Sequence, residues 1–156
     1  MRITEKELQD LGFREVSPGL YKQVSEEDVK KKVSSTYSHI KRVTVTIEDV
    51  EYNFRSEWEY IYAQYLQLLK DSKTILKWEY EPYRFIFDKI KRGSNSYLPD
   101  FKVYELDGSH WWAEVKGHMT RVAFTKLKRM AKYYPLEVVK LINKEAISEI
   151  KRKLGL

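Results

Sequence analysis

Residues 97–117 read YLPDFKVYELDGSHWWAEVKG, and the two strand-like runs on either side of Asp107-Gly108 decide how the chain is built. An Asp-Gly pair between segments rich in Val, Tyr, Phe and Trp is the chemistry of a tight turn, so residues 97–106 and 110–116 are expected to be neighbouring strands. Side chains alternate across a sheet, which puts Glu114 and Lys116 on one face and Val115 in the opposite layer. With the strands paired through that turn, Asp100 comes near Glu114 at one end of the hairpin. Two carboxylates and an ammonium then meet. Carboxylates that close repel each other and raise the pKa of one, and a hard cation such as Mg2+ or Mn2+ relieves the repulsion.

Working outward, residues 56–70 carry helical period, with Trp58, Ile61, Tyr62, Tyr65, Leu66 and Leu69 as the buried stripe. Residues 43–54 read as two strands around Glu48-Asp49, and residues 75–87 as a further strand-like run that completes a meander with the two quoted above. Downstream, residues 120–134 return to helical period, with Ala123, Leu127, Met130, Ala131 and Tyr134 on one face and Pro135 ending the helix. Residues 136–142 follow as a strand, and Asn143 caps a last helix that buries Ile147, Ile150 and Leu154. The order helix, three strands, helix, strand, helix belongs to an α/β domain. At the other end, Thr4-x-x-Glu7 opens a short helix closed by Gly12, and Pro18-Gly19 turns a small hairpin between residues 13–16 and 20–24. A polar stretch with Lys30-Lys31-Lys32 follows. The expected division is a helix-plus-hairpin extension and charged linker over residues 1–42, and a core over residues 43–156.

Composition sets limits on the chemistry. A chain of 156 residues with 42% hydrophobic and 33% charged residues has the balance of one globular core. No cysteine is present, which removes disulfides, zinc-thiolate sites and thiol nucleophiles together. His39, His110 and His118 are too scattered for a histidine metal site, so an oxygen-ligated metal is what the sequence allows. The opening residues lack the apolar core of a signal peptide, and no apolar run approaches membrane-spanning length, so the expectation is a cytoplasmic protein without membrane contact. With 29 Lys and Arg against 23 Asp and Glu, a net charge of +6 favours a polyanionic partner, although many basic domains bind no nucleic acid.

A metal held by Asp100 and Glu114, with Lys116 beside it, offers what phosphodiester cleavage needs. Neighbouring carboxylates favour the charged form of Lys116, so orienting the nucleophile and stabilising negative charge suit it better than acting as a base. Pro-Asp followed by Glu-x-Lys is a short pattern, and the same residues would also make an ordinary cross-strand salt bridge. For DNA, Arg121, Thr125, Lys128 and Lys132 share one helix face as a phosphate-tracking ridge, and Lys89, Lys91 and Arg92 precede Gly93-Ser94-Asn95-Ser96 in a flexible basic loop able to clamp a duplex. Both would equally be solvated surface. Trp111, Trp112, Tyr133 and Tyr134 read as core or rim aromatics ahead of base-stacking groups. Glu59 completes a capping box, Ser56-x-x-Glu59, in which its carboxylate bonds back to the Ser56 amide. It also sits on the margin of the buried stripe, where it can face the sheet end.

The segments Tyr97-Leu98-Pro99-Asp100-Phe101 and Glu114-Val115-Lys116-Gly117, preceded by Arg55-Ser56-Glu57-Trp58-Glu59, resemble the small phage-encoded PD-(D/E)XK nucleases. Trp78-Glu79-Tyr80-Glu81-Pro82 and the helix from Lys126 to Pro135 look like the flanking strand and helix of the same family, so the likeness runs from about residue 55 to 142. It implies a restriction-endonuclease-like mixed sheet flanked by helices, Mg2+- or Mn2+-dependent endonuclease activity that nicks DNA or resolves branches such as four-way junctions, and action in phage DNA metabolism in the host cytoplasm. It also implies an additional acid on the first core helix, a position matched by Glu59, so the implied catalytic set is Glu59, Asp100, Glu114 and Lys116. A homodimer would suit a four-way junction, though no interface is marked in the sequence. The alternatives are a non-catalytic DNA-binding module on the same fold, and a protein-interaction factor whose acidic cluster is structural.

Overall fold

A computed structural model describes residues 14–17, 20–22 and 41–156. The chain divides into two units, residues 1–41 and 42–156. In the first, β1 (Arg14–Ser17) pairs antiparallel with β2 (Leu20–Lys22), Arg14 opposite Lys22, with a bulge between Glu15 and Ser17. The expected hairpin is thus present over the described residues, and residues 13, 23 and 24 of the expectation lie outside them. The opening helix, the Pro18-Gly19 turn and the Lys30-Lys31-Lys32 run lie outside the described residues.

The second unit opens with β3 (Val43–Ile47) and β4 (Val50–Phe54), an antiparallel pair turning at Glu48 and Asp49. Both turn residues have positive φ, 49° and 65°, as a two-residue hairpin that follows strand twist requires. Next come α1 (Glu57–Asp71), β5 (Lys77–Tyr80), β6 (Phe85–Ile86), β7 (Ser96–Tyr97), β8 (Phe101–Tyr104) and β9 (His110–Val115). The unit ends with α2 (Arg121–Tyr133), β10 (Val139–Ile142) and α3 (Lys144–Leu154). Ser56, Thr120 and Asn143 cap the three helices, each accepting the backbone N–H three residues on.

One four-stranded sheet organises this unit, in the order β10-β9-β8-β5. β5 and β9 run antiparallel to β8, while β10 lies parallel to β9, so the sheet is mixed and the architecture α/β. Two long strand expectations divide. Residues 75–87 break after Tyr80 because Glu81 adopts φ 45° and Pro82 has no N–H to give to a ladder, so β5 joins the main sheet and β6 pairs with β7 instead. Residues 97–106 break in the same way at Pro99, which sends Tyr97 to the small ribbon and Phe101 to the main sheet.

The two faces of the sheet bury different clusters. On one, Trp78, Phe101, Val103, Ala113 and Val115 pack with Ile61 and Leu66 of α1, Ile147 and Ile150 of α3, and Phe54 of β4. On the other, Trp112 joins Phe85, Phe87, Tyr97 and Met130, with Leu127 and Val139 against them. Ala131, expected on the buried side of α2, is exposed. Leu127, Met130, Tyr133 and Tyr134 form the inward stripe, and the next position round the helix from Met130 turns out to solvent. Among the described residues no helix is long and apolar enough to cross a membrane.

Candidate active site

The register Phe101↔Ala113, carried one step beyond the end of β8, sets Asp100 across from Glu114. Both carboxylates are buried, with 7% and 6% of their residue surface exposed. Asp100 Oδ2 accepts the Val115 N–H at 2.7 Å, which ties it to the end of β9. Glu114 Oε2 accepts the Tyr97 hydroxyl at 2.7 Å, and its Oε1 lies 3.1 Å from Lys116 Nζ. Burial first, then the neighbouring Glu114 and Glu59, push the Asp100 carboxyl well above its ordinary pKa, against the opposing Val115 N–H and Lys116. For Lys116, burial alone would lower the pKa, but Glu114 and Asp100 outweigh it and hold the ammonium charged. Burial and Glu114 raise the pKa of Tyr97, which keeps it a hydrogen-bond donor.

Glu59, also buried, combines both roles that its sequence position allows. Its backbone N–H donates to Ser56 Oγ, while its carboxylate accepts the Arg55 N–H at 3.0 Å and the Ser56 hydroxyl at 3.1 Å. The return bond therefore goes to the Arg55 amide and not to that of Ser56, because the carboxylate is also drawn to the Tyr80 hydroxyl, 2.7 Å away. That pull turns it towards the sheet end, close enough to Asp100 to raise its pKa.

Sequence reasoning missed Glu81, Arg55, Tyr80 and Tyr97 as parts of this cluster. Glu81 donates its N–H to the Asp100 carbonyl at 2.8 Å, which brings its side chain beside the same acids. Its Oε1 is buried without a well-aligned hydrogen bond, although Arg55 Nη2 lies 2.6 Å away. Burial, with Glu59 nearby, raises the Glu81 pKa despite Arg55. No sequence signal marked Glu81, whose left-handed φ of 45° before Pro82 is seen only in the structure.

Gly117 follows Lys116 for a steric reason. A Cβ built there would lie 2.9 Å from Trp58 Cζ3, so this backbone runs directly over the indole. Gly117→Ala is expected to destabilise the fold by about 1–3 kcal/mol through overpacking, read as a lower denaturant midpoint. Adding Trp58→Leu should return part of that loss, and equal midpoints for Gly117→Ala and the parent would show that the indole moves aside freely.

The basic residues expected to meet DNA are on the surface. Arg121, Lys128 and Lys132 are exposed along α2, Thr125 between them is half-buried, and Lys89, Lys91 and Arg92 are exposed between β6 and β7. α2 and this ribbon share the sheet face that carries Glu114. The loop is anchored and not simply flexible. Phe87 N–H bonds to Asn95 O at 2.7 Å, Phe87 and Ile90 pack inward, and the Arg129 guanidinium holds Ser94 O.

Among the described residues no group of three or more His, Asp or Glu side chains is arranged as a ready metal cage. Asp100 and Glu114 instead form a two-carboxylate donor set, which fits Mg2+, an ion that keeps several waters and completes its shell with substrate phosphate. Residues 34–147 match a family model described as Protein of unknown function (DUF1064). No curated protein matches the chain.

Proposed function

The chain belongs to that family, and from its site we propose a divalent-metal-dependent DNA endonuclease on a restriction-endonuclease-like fold. The observation that carries the reading is the pairing of two buried carboxylates, Asp100 and Glu114, with a charged Lys116 whose Nζ is 3.1 Å from Glu114. Crowding of buried carboxylates is unfavourable by itself and is relieved by a cation. When bound, Mg2+ or Mn2+ supplies Lewis-acid polarisation of the phosphoryl oxygen and activation of water.

The remaining work falls to this chain's residues. Asp100 and Glu114 provide hard oxygen donors, held in orientation by the Val115 N–H and the Tyr97 hydroxyl. Lys116, kept as an ammonium, orients the attacking water and stabilises charge growing on the phosphate. Glu59 adds a third buried acid beside Asp100. Arg121, Lys128 and Lys132, with Lys91 and Arg92 across the same face, contact the DNA backbone, so binding is salt-sensitive and carries little sequence information.

Supercoiled, linear, single-stranded and four-way-junction DNA, each with Mg2+, Mn2+ or EDTA, tests the activity. Metal-dependent cuts within at least one of them are expected, and the product pattern separates nicking from branch resolution. Binding without cleavage of any form would leave a non-catalytic DNA-binding module. Reversing the charge of Arg121, Lys128 and Lys132 should weaken binding alike on all sequences and flatten its dependence on log salt by about 0.9 for each duplex phosphate that is no longer neutralised. An unchanged slope, measured by anisotropy titrations, would remove α2 from the DNA path.

A further inference from the structure

On the Glu114 face of the sheet, towards the start of β9, lies an open cavity of about 460 Å3 whose lining includes none of Glu59, Asp100, Glu114 or Lys116. We propose that it receives an unpaired nucleobase of the substrate DNA, one that bears an exocyclic amino group, near the phosphate to be cut. This inference rests on the reading of the protein as a DNA nuclease and adds the class of DNA that the site prefers.

The walls are aromatic. Trp112 and Phe85 are buried side chains packed edge to face at 5.0 Å, and Tyr104 and Tyr134 are half-buried beside them. Tyr83 stands 56% exposed at the rim, with an edge-to-face contact to Phe85 at 5.0 Å. Flat π-surfaces at such a mouth suit a heteroaromatic ring, and every base offers a π-face.

The polar groups narrow the choice. Lys102 Nζ lies 4.8 Å from the Tyr104 ring centre and 5.1 Å from that of Trp112, and its charge acts on both Glu79 and Glu137. Glu79 is held by the Tyr104 hydroxyl at 2.9 Å and by Lys77 Nζ at 2.7 Å, and Glu137 by Trp112 Nε1 at 2.6 Å and His110 Nε2 at 2.9 Å. These two fixed carboxylates can accept N–H bonds from an amino group, as acids do from cytosine N4. The ammonium donates to ring nitrogen or carbonyl acceptors on the same base, as lysine does to guanine. Thymine, without an amino group, matches this set poorly.

Position ties the cavity to the reaction. Trp112 and Glu114 lie two residues apart on one face of β9, about 7 Å along the strand. A base in the cavity and a phosphate at Glu114 are therefore close neighbours along one DNA strand. A base inside an intact duplex would first have to unstack, whereas one already unpaired at a gap, flap or junction avoids that cost.

The test uses the full chain carrying Lys116→Ala, so that DNA remains intact in Mg2+. Anisotropy titrations compare an intact duplex with duplexes holding a two-nucleotide gap opposite cytosines or thymines. Expected are tighter binding to the cytosine gap and, on adding Tyr83→Ala, a loss of about 5- to 150-fold on that substrate with duplex affinity kept. Glu137→Gln should narrow the cytosine-over-thymine preference. Equal losses on gap and duplex, no loss at all, or no DNA binding would overturn the proposal. Cleavage by the otherwise unaltered chain is measured in parallel. Selective binding without cleavage would sink the nuclease reading while the cavity assignment stands, and cleavage with a gap preference indifferent to Tyr83 would sink the cavity assignment alone.

Discussion

Purified Lys116→Ala is expected to fold, bind DNA and keep its metal, yet to cleave DNA about a hundredfold to a thousandfold more slowly than the parent, the usual effect of losing one preorganised transition-state charge. Lys116 is 38% exposed at its side chain while Glu114 beside it is 7% exposed, so the ammonium stands at the mouth of the acidic cluster where a phosphate would arrive. Removing it leaves the Val115 N–H and the Tyr97 hydroxyl on the two carboxylates, so the donor set survives. Single-turnover cleavage and metal titration on the same sample separate these effects. A folded Lys116→Ala that cuts at the parental rate would reduce the Glu114–Lys116 contact to an ordinary salt bridge.

Asp100→Asn should abolish cleavage and make the protein more stable in EDTA. The folded-state pKa of Asp100 is raised by burial, Glu114 and Glu59, so the folded protein holds this proton more tightly than the unfolded chain does. Stability from this group is complete below its unfolded pKa and is lost as pH rises through the folded one, so ionising this group is a cost to the fold. Asparagine keeps the shape and an acceptor for the Val115 N–H, and a gain of about 0.5–2 kcal/mol is in the usual range for a single stabilising substitution. The difference from the parent should shrink as pH falls. Added Mg2+ should raise the parental melting temperature and affect Asp100→Asn less, because only the parent retains both carboxylates. A variant less stable than the parent in EDTA at pH 7 would contradict the crowding argument.

Much of this arrangement was legible because local chemistry and packing agree. The stripe of Ile61, Tyr62 and Leu66 specified α1, Ser56 and Asn143 marked helix starts, and the alternation around the Asp107-Gly108 turn set Asp100 opposite Glu114. Where sequence and structure part, proline decided. Pro82 and Pro99 each cut one apolar run into two strands, and periodicity does not tell which sheet a run joins. Ala131 misled because a small apolar residue reads as buried on either side of a stripe's edge. The hydroxyls of Tyr80 and Tyr97 on two acids of the candidate site depend on a ribbon and an edge strand meeting in space, which no spacing records. Glu81 stood within a quoted motif, but its buried oxygen becomes visible only once Arg55 and Asp100 are in place.

The parallel pairing of β9 with β10 has a consequence for the order in which the candidate site is put together. The β8–β9 hairpin closes a short loop and can form early, but the Lys116 N–H is fixed by Ile142 O, and Trp112 to Val115 are laddered to residues 139–142. That register needs the whole crossover through α2, a contact between distant parts of the chain whose loop must close first. During synthesis the acidic residues leave the ribosome well before the strand that secures them. A nascent chain should therefore hold Lys116 loosely until β10 docks, so the full grouping of Asp100, Glu114 and Lys116 would form late and cooperatively.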